Sequence, residues 1–103
     1  MTPVSLAHRL DGTLRVVLAG DIMYPTDPNI LVEVQTAIAL RQPSAINVDL
    51  SGVPLIDTTG IGLLLNLMQT AHGAGATYRV EHPNSFIHEV LTKVGLHHAF
   101  GLS

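Results

Sequence analysis

The 103-residue sequence predicts a mixed α/β layer in which helices lie over a sheet. Three observations predict it. Asp11-Gly12 separates two strand-like runs, a short β-branched run spans 45–50, and helix-period segments stand between and after the strands. The order is ββαβαβα, one domain over residues 1–103 without a linker, repeat or low-complexity tract.

The elements follow in turn. "SLAHRL" and "TLRVVLAG" flank Asp11-Gly12, which favours the positive φ angles of a hairpin turn, so they form an antiparallel pair. In the second run Leu14, Val16 and Leu18 share one face. In "PTDPNILVEVQTAIALRQP", Asp27 can cap a helix and Pro28 suits its first position. Ile30, Leu31, Val34, Ala37 and Ile38 recur at helical spacing, and Pro43 bounds the segment. "AINVDL" reads as a central strand buried on both faces.

A second helix follows "LIDTTG" and ends at Gly73-Ala74-Gly75; "TYRV" is the next strand. Asn84 or Ser85 caps a third helix that carries Ile87, Val90, Leu91 and Val94 on one face. Gly95 suits the left-handed end of that helix, with Leu96 folding back. "HHAFGLS" closes the chain as a short helical turn or an edge strand.

Composition narrows the function classes. The chain is 47% hydrophobic and 13% charged, with a net charge of -3. A chain of this length buries roughly two-thirds of its unfolded surface. The five basic residues are scattered, whereas nucleic-acid binding requires a clustered basic footprint. Without cysteine there is no disulfide framework or thiolate chemistry. No signal peptide and no apolar run long enough for a membrane span is visible, so a soluble, cytoplasmic protein is expected, without direct membrane insertion.

The chemistry concentrates in "LIDTTGIGLLLNLMQTAHG", residues 55–73. Ile61, Leu64, Leu65 and Met68 form one helical stripe with Ala71 beside it. Leu63 and Leu67 widen the apolar arc to roughly 200°, about twice what a surface helix needs. That width suits a helix wedged between layers, or one whose Leu63 and Leu67 border an exposed docking surface.

At the start of this helix, unpaired N–H groups and the helix dipole favour negative charge. Asp57, Thr58 or Thr59 can cap it through a side-chain oxygen. A Walker loop requires a Lys after its second glycine, and a dinucleotide fingerprint requires three glycines; Gly60 and Gly62 supply neither pattern. Asp57 would also repel an incoming phosphate. A phosphate attached covalently to one hydroxyl is different. It would add about -1.5 to -2 charges where a partner surface had met a neutral Thr, which is a switch in physical terms.

Other constellations are weak. Asp49 closes a central strand, but the acidic pair and later Lys of a receiver are missing, so bonding to the "LSGV" turn is expected. The six histidines include no i,i+4 helical pair, and no metal site is expected. No G-x-S-x-G elbow exists for a hydrolase. Neither a catalytic set nor a cofactor site is anticipated.

Three segments carry a resemblance over nearly the whole chain. "VVLAGDI", "INVDLSGVPLIDTTGIGLLL" and "VLTKVGLHHAF" stand in the order and spacing of the sulfate-transporter and anti-sigma-factor-antagonist (STAS) family, which the sequence resembles. The resemblance implies a mixed sheet of four to five strands with helices packed mainly on one face, and no catalytic activity. It implies an anti-sigma-factor antagonist acting by partner switching, in bacterial transcription and stress responses. The unphosphorylated form would bind an anti-sigma factor that is also a serine/threonine kinase. Phosphorylation at Thr59, with Thr58 as second choice, would end that binding, and a phosphatase would restore it. Asp57, Thr58, Thr59, Gly60, Gly62, Leu63, Leu67, Asp21 and Met23 would form the partner-binding region. Met23 departs from the pattern, because many regulatory members carry an acidic residue there; Asp21 supplies a carboxylate two residues earlier. The departure leaves an alternative, a constitutive scaffold subunit of a lipid or solute transport ATPase.

Overall fold

The computed structural model describes residues 3–102. Its elements are β1 (Val4–His8), β2 (Thr13–Ala19), α1 (Pro28–Arg41), β3 (Ala45–Gly52), α2 (Thr58–Gly73), β4 (Thr77–Glu81) and α3 (Ser85–Lys93), the expected ββαβαβα order. The strands form one sheet in the order β1-β2-β3-β4. β1 and β2 are the antiparallel hairpin, with Gly12 at φ +91° in its turn. β2-β3 and β3-β4 are parallel, as expected where a helix forms each crossover.

One face of the sheet is closed by the helices. Leu14, Val16, Leu18, Ile46, Val48 and Leu50 are fully buried there. The opposite face carries Thr13, Arg15, Val17, Asn47, Thr77 and Arg79, all half-buried or exposed. This corrects the expectation that β3 is buried on both faces: a short apolar run does not by itself say how many layers cover it. Asp49 is the exception on the open face, only 3% exposed. Its Oδ1 accepts from the Ser51 N–H at 2.8 Å, as the turn reading anticipated, and its Oδ2 accepts from the Arg15 guanidinium of the neighbouring strand.

Burial alone would raise the Asp49 pKa, but the Ser51 bonds and the Arg15 charge outweigh it and hold the carboxyl below its ordinary 3.8. A folded-state pKa below the unfolded one gives stability that is complete above about pH 4 and is lost as pH falls through the folded value. Asp49→Asn should therefore lower stability by about 1.5 kcal/mol at neutral pH. Thermal melts at decreasing pH should show the wild type and the variant converging below about pH 4. A constant gap between them down to strong acid would contradict this role.

The helices are capped by local sequence. Asp27 accepts from the Asn29 N–H at 2.9 Å with Pro28 in the first turn of α1, and Gln42 ends that helix in the left-handed region at φ 47°. Asn84 rather than Ser85 caps α3, accepting from the Ile87 N–H at 2.8 Å. Its amide also donates to the Pro54 carbonyl at 3.0 Å, tying α3 to the loop before α2. Gly95 is left-handed and the Leu96 N–H donates to the Leu91 carbonyl, as expected. Val94, assigned to the apolar face, is 53% exposed, because only Ile87 and Leu91 reach the core from α3.

The closing segment is a turn over 97–101, not a strand. The Phe100 carbonyl accepts from the Val80 N–H, and its buried ring packs edge-on to Tyr78 with centroids 5.8 Å apart. The Tyr78 hydroxyl donates to the Leu64 carbonyl at 2.8 Å, and burial pushes its pKa far up. Tyr78→Phe leaves that carbonyl its place in the helical ladder, so a loss of about 0.5–1.5 kcal/mol is expected in denaturant melts. A loss near that of a core truncation would show that the hydroxyl anchors more than this contact.

Candidate functional site

The site forms where the segment after β2 meets the start of α2. Ile22 and Ile56 form an isolated parallel bridge, with the Ile22 N–H donating to the Leu55 carbonyl and the Asp57 N–H to the Ile22 carbonyl. Asp57 completes the junction. Its Oδ1 accepts from the Gly60 N–H and its Oδ2 from the Tyr24 N–H, both at 2.9 Å. Of the three capping candidates Asp57 is therefore the cap, and the same carboxylate pins the 21–27 segment to the helix. The Tyr24 and Gly60 N–H bonds hold its pKa below the ordinary carboxylate value.

The two threonines are thus free of capping duty. Thr58 is exposed at the first position of α2, and Thr59 is half-buried beside a groove of about 400 Å³. Neither hydroxyl has a hydrogen-bond partner among the described residues. Thr26, Asp27, Pro28 and Leu31 form the opposite wall, and Gly62, Leu63 and Asn66 continue the Thr59 side. Gly60 is buried at the junction, whereas open space lies beside Gly62.

Leu63 and Leu67 do not border an exposed surface. Leu67 is fully buried and Leu63 is 7% exposed along the groove, whereas Ile61, Leu65 and Met68 are only half-buried. The physical reason is that α2 packs against both α1 and β4, which turns the 63/67 edge inward. Asp21 and Met23 are both exposed on either side of the buried Ile22.

The apolar surface comes instead from Met23, which the sequence reading placed in the partner-binding region, and from Tyr24 and Leu55, which it passed over. Met23 is 41%, Leu55 45% and Tyr24 79% exposed, and Tyr24 precedes a cis peptide to Pro25. Their neighbours Ile22, Asp57 and Ile56 are bonded together, so the segments bearing these side chains meet at the helix start. Asp27-Pro28 was legible as a cap; nothing local indicated that it faces Thr59.

A family model described as Mlab, STAS domain, matches residues 6–102, nearly the whole chain. The chain belongs to the STAS-domain family. The structure of this STAS domain agrees. An anti-sigma factor antagonist from Mycobacterium paratuberculosis superposes with a TM-score of 0.76 at 20% identity, over 99% of this chain and 85% of that one. The Bacillus cell fate determinant SpoIIAA in its phosphorylated form gives 0.71 at 20% identity, over 91% and 85%. A sulfate transporter family protein from Wolinella succinogenes gives 0.71 at 16%, over 92% and 75%. At these identities the likeness concerns the fold. No curated protein matches this chain in sequence. Among its described residues no helix is long and apolar enough to cross a membrane.

Proposed function

We propose that this STAS domain is a cytoplasmic protein-binding switch, an anti-sigma-factor antagonist that is phosphorylated at Thr59. The observation that carries the reading is the division of labour at the start of α2. Asp57 caps the helix through Oδ1, so the Thr59 hydroxyl stands unbonded beside an open groove. The exposed Met23, Tyr24 and Leu55 supply the apolar surface that an unphosphorylated partner contact needs. The fold's likeness to SpoIIAA, solved in both unphosphorylated and phosphorylated forms, supports the assignment.

In this reading the protein partner is an anti-sigma factor with serine/threonine kinase activity, and a phosphatase resets the site. The phosphoryl group passes from the kinase's ATP to Oγ1 of Thr59, which loses its proton, and ADP leaves. A dianion beside Asp57 and Asp27 then faces a partner surface that had met a neutral hydroxyl. The experiment is incubation with such a kinase and ATP, followed by mass spectrometry of the helix-start peptide and calorimetry of both forms. Phosphate on Thr59 with loss of binding is the expected result. Unmodified Thr59 with unchanged binding defeats the switch.

Met23, exposed where many regulatory members carry a carboxylate, leaves room for the second reading, a constitutive scaffold subunit of a transport ATPase. Copurification with ATPase subunits, undisturbed by substitution of Thr59, would select it.

A further inference from the structure

The β1 strand is an outer edge of the sheet, and its hydrogen-bonding phase is defined. The Arg9 N–H donates to the Thr13 carbonyl, and the Ala19 N–H donates to the Pro3 carbonyl. Bonded pairs alternate in an antiparallel ladder, so odd-numbered residues of β1 turn their main-chain groups toward β2. The even-numbered residues, Val4, Leu6 and His8, turn theirs outward. No charged residue or proline interrupts Val4–His8, so the usual devices that blunt an edge strand are missing here.

Above this edge lies an apolar groove of about 500 Å³ between β1 and α1. Leu6 is on the β1 side, and Val32 and Leu40, 55% and 76% exposed, are on the helix. Glu33 and Arg41 mark the two ends of the helical wall, about 12 Å apart along the axis. No ion pair joins either of them to another described residue.

We propose that two copies of this chain pair edge to edge through β1 in an antiparallel, two-fold-symmetric dimer. The axis passes through Leu6. Leu6 then faces Leu6 of the other copy, and Val4 faces His8, all three being residues whose main-chain groups point outward.

The charge pattern of α1 fits the same axis independently. His8 and Arg41 together line a neighbouring small cleft, which brings the end of the helix close to the end of the strand. Leu6 lies two strand residues back, about 7 Å, equivalent to four or five helical residues. The axis therefore crosses α1 near Thr36 and Ala37, small side chains midway between Glu33 and Arg41. A two-fold rotation about that level carries Glu33 of each copy toward Arg41 of the other. Val32 and Leu40 close over the Leu6 seam, and the two sheets become one of eight strands. The start of α2 lies away from this edge and stays open, so the dimer stands or falls separately from the switch.

Light scattering and sedimentation across the micromolar range test the proposal. The wild type should weigh twice the 11.0 kDa chain and dissociate on dilution. Glu33→Arg should weaken the dimer about tenfold by setting like charges opposite each other, and adding Arg41→Glu should restore it. Both positions are exposed, so folding survives, which circular dichroism checks. Hydrogen exchange should protect the Leu6 and His8 amides in the dimer and release them in the Glu33→Arg variant. A wild type that is monomeric throughout overturns the proposal. So does a dimer whose Leu6 amide exchanges freely, or one that the paired charge reversal fails to restore.

Discussion

Gly60→Ala is expected to lower the melting temperature by about 10 °C or more and to remove partner binding with it. An added Cβ would stand 2.2 Å from the Ile22 carbonyl oxygen and 2.6 Å from Cγ1 of Ile56. The first is a backbone atom inside the Ile22–Ile56 bridge, so it cannot rotate away. Relief requires the first turn of α2 to move off the bridge, which stretches both Asp57 bonds. Overpacking of this kind costs about 1–3 kcal/mol, and the lost bonds add to it. Gly62→Ala is the matched control. Nothing lies within 4 Å of its Cβ position, and replacing a helix-interior glycine stabilises by about 0.5–1 kcal/mol. Calorimetric melts should therefore move in opposite directions for two glycines two residues apart. Equal melting of Gly60→Ala and wild type would mean that the close approach at Ile22 is not a constraint.

Thr59→Glu should leave the fold intact and, in the proposed switch, lower affinity for the proposed kinase partner about a hundredfold. The fold survives because a carboxylate near a helix N-terminus interacts favourably with the dipole, and the side chain has open groove beside it. Binding fails because the new charge joins Asp57 and Asp27 at a contact where the partner must shed water. Thr59→Val separates charge from shape, since it keeps the β-branched outline and removes only the phosphate acceptor. It should bind close to wild type and remain bound when kinase and ATP are present. Titration calorimetry of the three proteins gives the answer, and equal affinity for the Glu variant would sink the electrostatic account.

Much of the architecture was written locally. Asp11-Gly12, Asp27-Pro28 and Gly95-Leu96 each combine a backbone requirement with the residue that meets it, and all three stand where the pattern placed them. The failures are of another kind. A 200° apolar arc on α2 gives the width of the buried face but not which edge turns toward α1, so Leu63 and Leu67 were open to two readings. The burial of Asp49 depends on Arg15, 34 residues earlier, and no local period encodes a partner at that distance. The groove is similar. Thr26 to Leu31 and Thr59 to Asn66 belong to different helical units, and only the packing of α1 and α2 on the assembled sheet brings them together. Even the cap at Asp57 was one of three local choices. Its second bond, to Tyr24, reaches across the sheet's end and had no local signal.

That second bond has a kinetic meaning. With one carboxylate oxygen on each segment, the surface around Thr59 is assembled before any partner arrives, and docking requires little reordering. Encounter should then proceed at an ordinary protein association rate, whichever form of Thr59 is present. The modification would act on how long the complex lasts, because affinity changes within one interface fall mostly on dissociation. In such a scheme the memory of the signal is the lifetime of a bound pair, and the clamp at Asp57 keeps that lifetime free of any slow refolding step.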